Sequence, residues 1–125
     1  MNDKEVLREE FIANIRHIGW VAYQIAVHQP YNEKMDKDQF ESVIDGIRFQ
    51  DENPNNTPEQ NHENWVKMKT SQGWVHGYVK DFDKKTHPDL VPYCDLPKVE
   101  QLKDTVGSIV HRMADQYWKE IQSVG

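Results

Sequence analysis

The sequence predicts a mainly α-helical chain of about four helices, with a small β element of one or two short strands between the third and the fourth. Three observations carry this. Apolar residues recur at steps of three and four over long stretches at both ends, which is the helical period. Two capping boxes, Asp36 to Gln39 and Thr57 to Gln60, mark helix starts between them. One central stretch, residues 74–81, alternates instead, which is the strand period.

The first helix is expected over residues 3–28. Leu7, Phe11, Ile15, Ile18, Ala22 and Ile25 form its apolar stripe, and Trp20, Tyr23 and Val27 form a second stripe beside it. So wide a face predicts packing against more than one neighbour. Asn2 or Asp3 can cap the start, Glu5 suits the first turn, and Pro30 ends the helix. After a linker at 31–36, Phe40, Val43, Ile44 and Ile47 mark a short helix at about 37–49. Residues 50–57 are a polar loop. Thr57-Pro58-Glu59-Gln60 opens the third helix, which should run to about Thr70, with Gly73 as its terminator.

Within 74–81, Trp74, His76, Tyr78 and Lys80 should face one way and Val75, Val79 and Asp81 the other, with Gly77 among them. A hairpin closed by the Asp81–Lys85 turn is one form this can take. Pro88, Pro92 and Pro97 make residues 86–97 an extended connection. From Val99 to Ile121 the helical spacing returns through Leu102, Val106, Ile109, Val110, Met113 and Tyr117, with Asp104 a potential internal cap.

With 125 residues the chain is expected to be one compact domain. Apolar residues make up 37%, which predicts a thin core that a partner subunit helps to complete. Net charge is −6, and all of the excess lies in residues 1–60, which hold 6 Lys and Arg against 12 Asp and Glu; residues 61–125 hold 9 against 9. That balance argues against a nucleic acid polymer as partner but leaves room for a small anion on the second half. The single cysteine, Cys94, allows no internal disulfide and no multi-thiolate metal site. No leader pattern and no membrane-length apolar run is present, so a soluble, cytoplasmic protein is expected.

Asn61 to Tyr93 concentrates the chemistry, with Trp65, Trp74, His62, His76, His87, Gly73 and Gly77. Trp65 and Trp74 are either core anchors or a platform on which a flat ligand stacks, and Trp65, among polar Asn61, His62 and Asn64, is the better platform. Gly77 marks a bulge or a close approach to the backbone. Asp81, Lys84, Lys85 and His87 either neutralise a phosphate or close a charged turn. Catalytic constellations fail. His62-Glu63 lacks the second histidine of a zinc-protease helix, His76 and His87 lack a third ligand, and no glycine-rich phosphate loop occurs. Neither an enzyme, nor a cofactor, nor a metal site is therefore expected.

Read in order, NHENW (61–65), QGWVHG (72–77), DFDKKTHPDLVPY (81–93) and LPKVEQLKD (96–104) resemble the repeat of ryanodine receptors, the RyR domain. The resemblance spans about 57–122, leaving 1–50 as a helical extension expected to pack on the repeat. His76 departs from the Tyr or Phe common in the family, and Gln101 and Lys103 flank the position where Glu-Lys is common. The resemblance implies a stand-alone module of the bacterial or phage type, without a channel pore, for which sensing of nucleotide-derived ligands has been proposed. A ligand site is expected around Asn61, His62, Trp65, Trp74, His76, Tyr78, Lys80, Asp81 and His87. Because the channels carry tandem copies and this chain has one, a homodimer is expected. The alternative is a structural or protein-interaction module with no small ligand.

Overall fold

The computed structural model describes residues 2–124. Four helices carry the fold: α1 (Asp3–Ala26), α2 (Lys37–Glu52), α3 (Pro58–Ser71) and α4 (Lys98–Val124). Two strands of two residues each, β1 (Val75–His76) and β2 (Thr86–His87), lie between α3 and α4, followed by a single 3-10 turn at Tyr93–Asp95. No helix among the described residues is long and apolar enough to cross a membrane.

Local chemistry fixes the helix starts. Asn2 accepts from the Glu5 amide at 2.8 Å. Both capping boxes form: Asp36 and Thr57 accept from the amides of Gln39 and Gln60, whose side chains accept in return. Gly73, at φ +90°, turns the chain out of α3 in a conformation open to glycine at no steric cost. α4 runs without a break through Asp104, so the internal cap the sequence allowed does not form. α2 continues to Glu52, taking three residues from the expected loop.

The β element differs from a hairpin. β1 and β2 pair in parallel, Val75 with Thr86 and His76 with His87, while a separate antiparallel bridge joins Asp81 to Thr86. Two facts explain this. The Asp81 carboxylate accepts from the amides of Asp83 and Lys84 and folds the intervening loop on itself. A Cβ on Gly77 would stand 2.6 Å from Thr86 Cβ, so only glycine lets β2 cross so near. Thr86 is thus what approaches the Gly77 backbone.

α1 runs antiparallel to α4, as the contacts Phe11–Trp118, Gly19–Val110 and Tyr23–Val99 require. Ile12, Ala13, Ile47 and Ala114 form the fully buried centre between α1, α2 and α4. The α1 stripe expected to face inward does not do so throughout. Leu7, Ile18, Ala22 and Ile25 are exposed, Phe11 and Ile15 are half-buried, and the buried line is Glu9, Ile12, Ala13, His17 and Gln24. Polar Glu9 can occupy that line because Arg48 meets it with two hydrogen bonds, at 2.8 and 3.0 Å.

Arg8 joins three helices. Its Nη1 and Nη2 donate to the Asp51 carboxylate at 2.8 and 2.9 Å, and Nε donates to Asp115 at 3.1 Å. Burial pushes Asp51 and Asp115 up, but the charged hydrogen bonds outweigh it and hold both below the ordinary carboxylate range. Such groups add stability above the unfolded-state pKa of about 4 and lose it as pH falls through their lower folded values. Arg8→Met should therefore cost about 1–3 kcal/mol in urea denaturation at pH 7. The gap to wild type should narrow steadily as the pH is lowered through the acid range.

Candidate functional site

A cleft of about 180 Å³ opens between all four helices and the β element. α1 lines it with Arg16, Trp20 and Tyr23; α2 with Gln39, Ser42, Val43 and Gly46; α3 with Asn61, His62, Asn64, Trp65 and Lys69. Trp74, Lys80, Phe82, His87 and Asp89 come from the β region, and Glu100, Lys103, Asp104 and Gly107 from α4.

The structure brings six of the nine sequence-predicted residues to this cleft: Asn61, His62, Trp65, Trp74, Lys80 and His87. Trp65 is half-buried, rests on the His62 ring at 5.6 Å and meets the His87 ring edge-on at 5.0 Å. Trp74 is buried and donates through Nε1 to Asp38 at 3.2 Å. Asn61 donates to the Ser108 hydroxyl at 2.6 Å and accepts from Asn56, so its amide is engaged in packing. The other three lie elsewhere. His76 is exposed and pairs with Tyr78, which is 92% exposed; Asp81 serves its own turn. The expected alternation fails here because β1 ends after His76, leaving residues 77–80 free of a ladder that would hold a common face.

Two of the three buried histidines on the cleft, His62 and His87, are pushed toward the neutral form. Burial lowers the His62 pKa; its Nε2 donates to the Val91 carbonyl at 2.8 Å. Burial, with Lys80, Lys103 and Lys69 nearby, lowers His87 to about 3, and its Nδ1 accepts from the Asp89 amide at 3.0 Å. The ring nitrogens that these bonds use are not free to move a substrate proton.

The charges fall into two groups. Lys103 is engaged: it meets Glu100 at 2.6 Å and Gln29 at 2.5 Å, and lies 4.8 Å from the Trp20 ring centre. Glu100 is pushed up by burial, but bonds from Asp89, Lys103 and Gln29 outweigh this and keep it ionised. Asp89, half-buried and paired with Glu100, is pushed up to about 7 and so carries the proton of that pair. The second group has no such partners. The side chains of Arg16, Lys69 and Lys80 make no hydrogen bond or ion pair with any described residue. Lys69 lies 5.2 Å from the Trp74 ring centre and Lys80 4.9 Å from that of Phe82. Burial lowers the pKa of all three, Arg16 to about 10.

Sequence reasoning missed Arg16, Trp20, Tyr23 and Lys103 as site residues because they lie on helices read only for packing. One signal was present: Arg16 and Trp20 are four residues apart, with Tyr23 three further on, which places a cation and two rings on one helical face.

A protein-family model described as RyR domain matches residues 49–118, which is 70 of the 125 residues. α1 and most of α2 precede the matched segment.

Asp104 is pushed up to about 7 by burial, against the attraction of Arg16 and Lys103. A carboxyl raised on folding carries its proton in the folded state where the unfolded chain has lost it. Its contribution is therefore best below the unfolded pKa of about 4 and declines as pH rises toward the folded value. Asp104→Asn should stabilise the protein relative to wild type by an amount that grows between about pH 4 and 7 and then levels off. Melting temperature against pH for both proteins checks this; a constant offset across the range would contradict it.

Proposed function

The chain belongs to the RyR domain family, and from that premise we propose that it is a non-enzymatic module that binds a small, flat, anionic ligand, nucleotide-derived in character, in the four-helix cleft. One observation carries the reading. In a chain of net charge −6, three cations without a carboxylate partner line one cleft together with the indole rings of Trp20, Trp65 and Trp74. Taking cations out of water is costly unless an opposite charge meets them, and an anionic ligand would supply it. Aromatic stacking on a base contributes about 1–3 kcal/mol. Trp65 is half-buried and adjoins open space, whereas a purely structural ring would be packed on all sides. The cleft is smaller than the roughly 300–1,000 Å³ of drug-sized sites, which favours one ring system with one charged group. Engaged, neutral His62 and His87 suit recognition better than proton transfer. Exposed, unpaired Cys94 suits the reducing cytoplasm, where we place the module.

Tryptophan fluorescence and thermal-shift titration of the full chain against a nucleoside and nucleotide panel test the proposal. A saturable response should be weakened about tenfold by Trp65→Ala, as expected for a lost stacking contact. Tyr78→Ala should leave it unchanged, since Tyr78 lies outside the cleft. No response to any member of the panel would favour the interaction-module alternative.

We also propose that the module is a homodimer. Val99, Leu102, Ile109, Met113, Tyr117 and Ile121 are exposed along α4, and Leu7, Ile18 and Ile25 along α1. The chain exposes 8054 Å², against about 7,000 Å² expected for a compact monomer of 14.8 kDa. The excess of about 1,000 Å² is close to the roughly 800 Å² that each partner buries in a standard interface. Light scattering should give twice the chain mass, and Met113→Glu should shift it toward monomer. A monomer at every accessible concentration would refute this.

A further inference from the structure

We infer that the anion-binding group of the cleft is Arg16, supplied by α1 from outside the matched family segment, and that it receives a phosphate monoester carried by the flat ligand. This rests on the cleft being the ligand site. Three observations point to Arg16 rather than to the lysines. Its Nη1 is shut off from solvent and has no hydrogen-bond partner, although a guanidinium has five N–H donors to satisfy. Its guanidinium lies between two helices at positions where both are glycine: Nη2 is 3.6 Å from where a Cβ on Gly46 would stand and 3.7 Å from the same point on Gly107. Space for a planar fork is thus kept open from two sides, by residues that themselves line the cleft.

The third observation concerns the carboxylates within range. Asp51 and Asp104 attract Arg16 through space, yet neither forms an ion pair with it. Asp51 is held by Arg8 and His111, and Asp104, with His62 Nδ1 at 3.7 Å, also stands out of bonding range of the guanidinium. Neither carboxylate reaches the guanidinium at bonding distance, one because it is held elsewhere, and its donors stay available. A phosphate monoester matches what is left, because its oxygens accept two parallel N–H donors from a guanidinium fork. Lys69 and Lys80, each lying near an aromatic ring, add positive potential but no fixed direction.

The test uses the full chain, with AMP, adenosine and inorganic phosphate as probes at constant ionic strength. Wild type should bind AMP more tightly than adenosine. Arg16→Met should lower AMP affinity by about 10- to 100-fold, as expected for lost charged hydrogen bonds, and leave adenosine affinity unchanged. Arg16→Lys should fall between, because a single ammonium cannot reproduce the fork. Unchanged AMP binding by Arg16→Met, or equal loss of both probes, would overturn the inference. If wild type binds neither AMP nor adenosine, the cleft reading itself fails, and inorganic phosphate then judges Arg16 alone. Phosphate should raise the melting temperature of wild type and not of Arg16→Met; an equal shift in both, or none in wild type, would overturn it.

Unliganded stability separates a binding role from a structural one. Removing an unpaired buried charge should leave the melting temperature of Arg16→Met equal to or above that of wild type. A clear fall, or failure of this variant to fold while Arg16→Lys folds and binds as wild type does, would make Arg16 a structural residue and end the inference.

Discussion

The Arg8 guanidinium, held between Asp51 of α2 and Asp115 of α4, is the contact on which the helical assembly depends most. The apolar centre is small: among the described residues Ile12, Ala13, Ile47 and Ala114 form its fully buried cluster. Burial of so few apolar side chains sets the helices near one another without choosing a register. Polar contacts choose it. Arg8 ties the start of α1 to the ends of α2 and α4, Glu9 with Arg48 repeats the α1–α2 link one residue on, and Gln29 with Glu100 and Lys103 closes the far end of the α1–α4 pair. Hydrogen bonds to ionised groups in a low-dielectric setting are directional and strong, so a one-residue slip of α1 would break all of them together.

That register brings Arg16 opposite Gly46 and Gly107 and sets Trp20 against Lys103. The cleft therefore follows from the same contacts that order the helices. Its electrostatics are the reverse of theirs. Buried Glu9 and Lys103 each meet an opposite charge, whereas on the cleft wall Arg16, Lys69 and Lys80 meet none within bonding range among the described residues. Asp89, its pKa pushed up to about 7 by burial, carries less than a full negative charge to offset them. A fold with a thin core has little stability to spend on uncompensated cations. Their grouping at one place sets that wall apart electrostatically from the interfaces around it.

What the sequence made legible was what short-range chemistry decides. The N-caps Asp36 and Thr57 were read correctly, and Asn2 was one of the two residues expected for α1, because a cap and its amide are only three residues apart. Gly73 was read as a terminator for the same reason. The β pairing was not legible, because its direction depends on Thr86 passing the bare Gly77 backbone, nine residues away. The apolar period of α1 was real, but period marks a face and not its neighbour; α2 and α4 took the side bearing Ile12, Ala13 and His17. Six of the nine expected site residues line the cleft because the segment from Asn61 to His87 folds back on itself through α3 and β2. For Arg16 and Trp20 the sequence offered only a shared helical face, since tertiary packing alone carries α1 to that segment.

The matched residues and the helix that precedes them thus contribute different things to one cavity. The segment 49–118 supplies Trp65, Trp74, Lys69 and Lys80: ring surfaces and positive potential that many flat anions would satisfy. α1 adds Trp20 and the planar guanidinium of Arg16, whose Nη1 has no hydrogen-bond partner among the described residues. Stacking discriminates poorly among planar groups, because each presents a similar face. A bidentate fork discriminates strongly, because it requires two acceptor oxygens at a set spacing. If recognition is divided this way, the shared segment determines that a flat ligand can enter. The preceding helix then determines which charged group it must carry, and relatives that keep the segment but differ in that helix would read different ligands through the same rings.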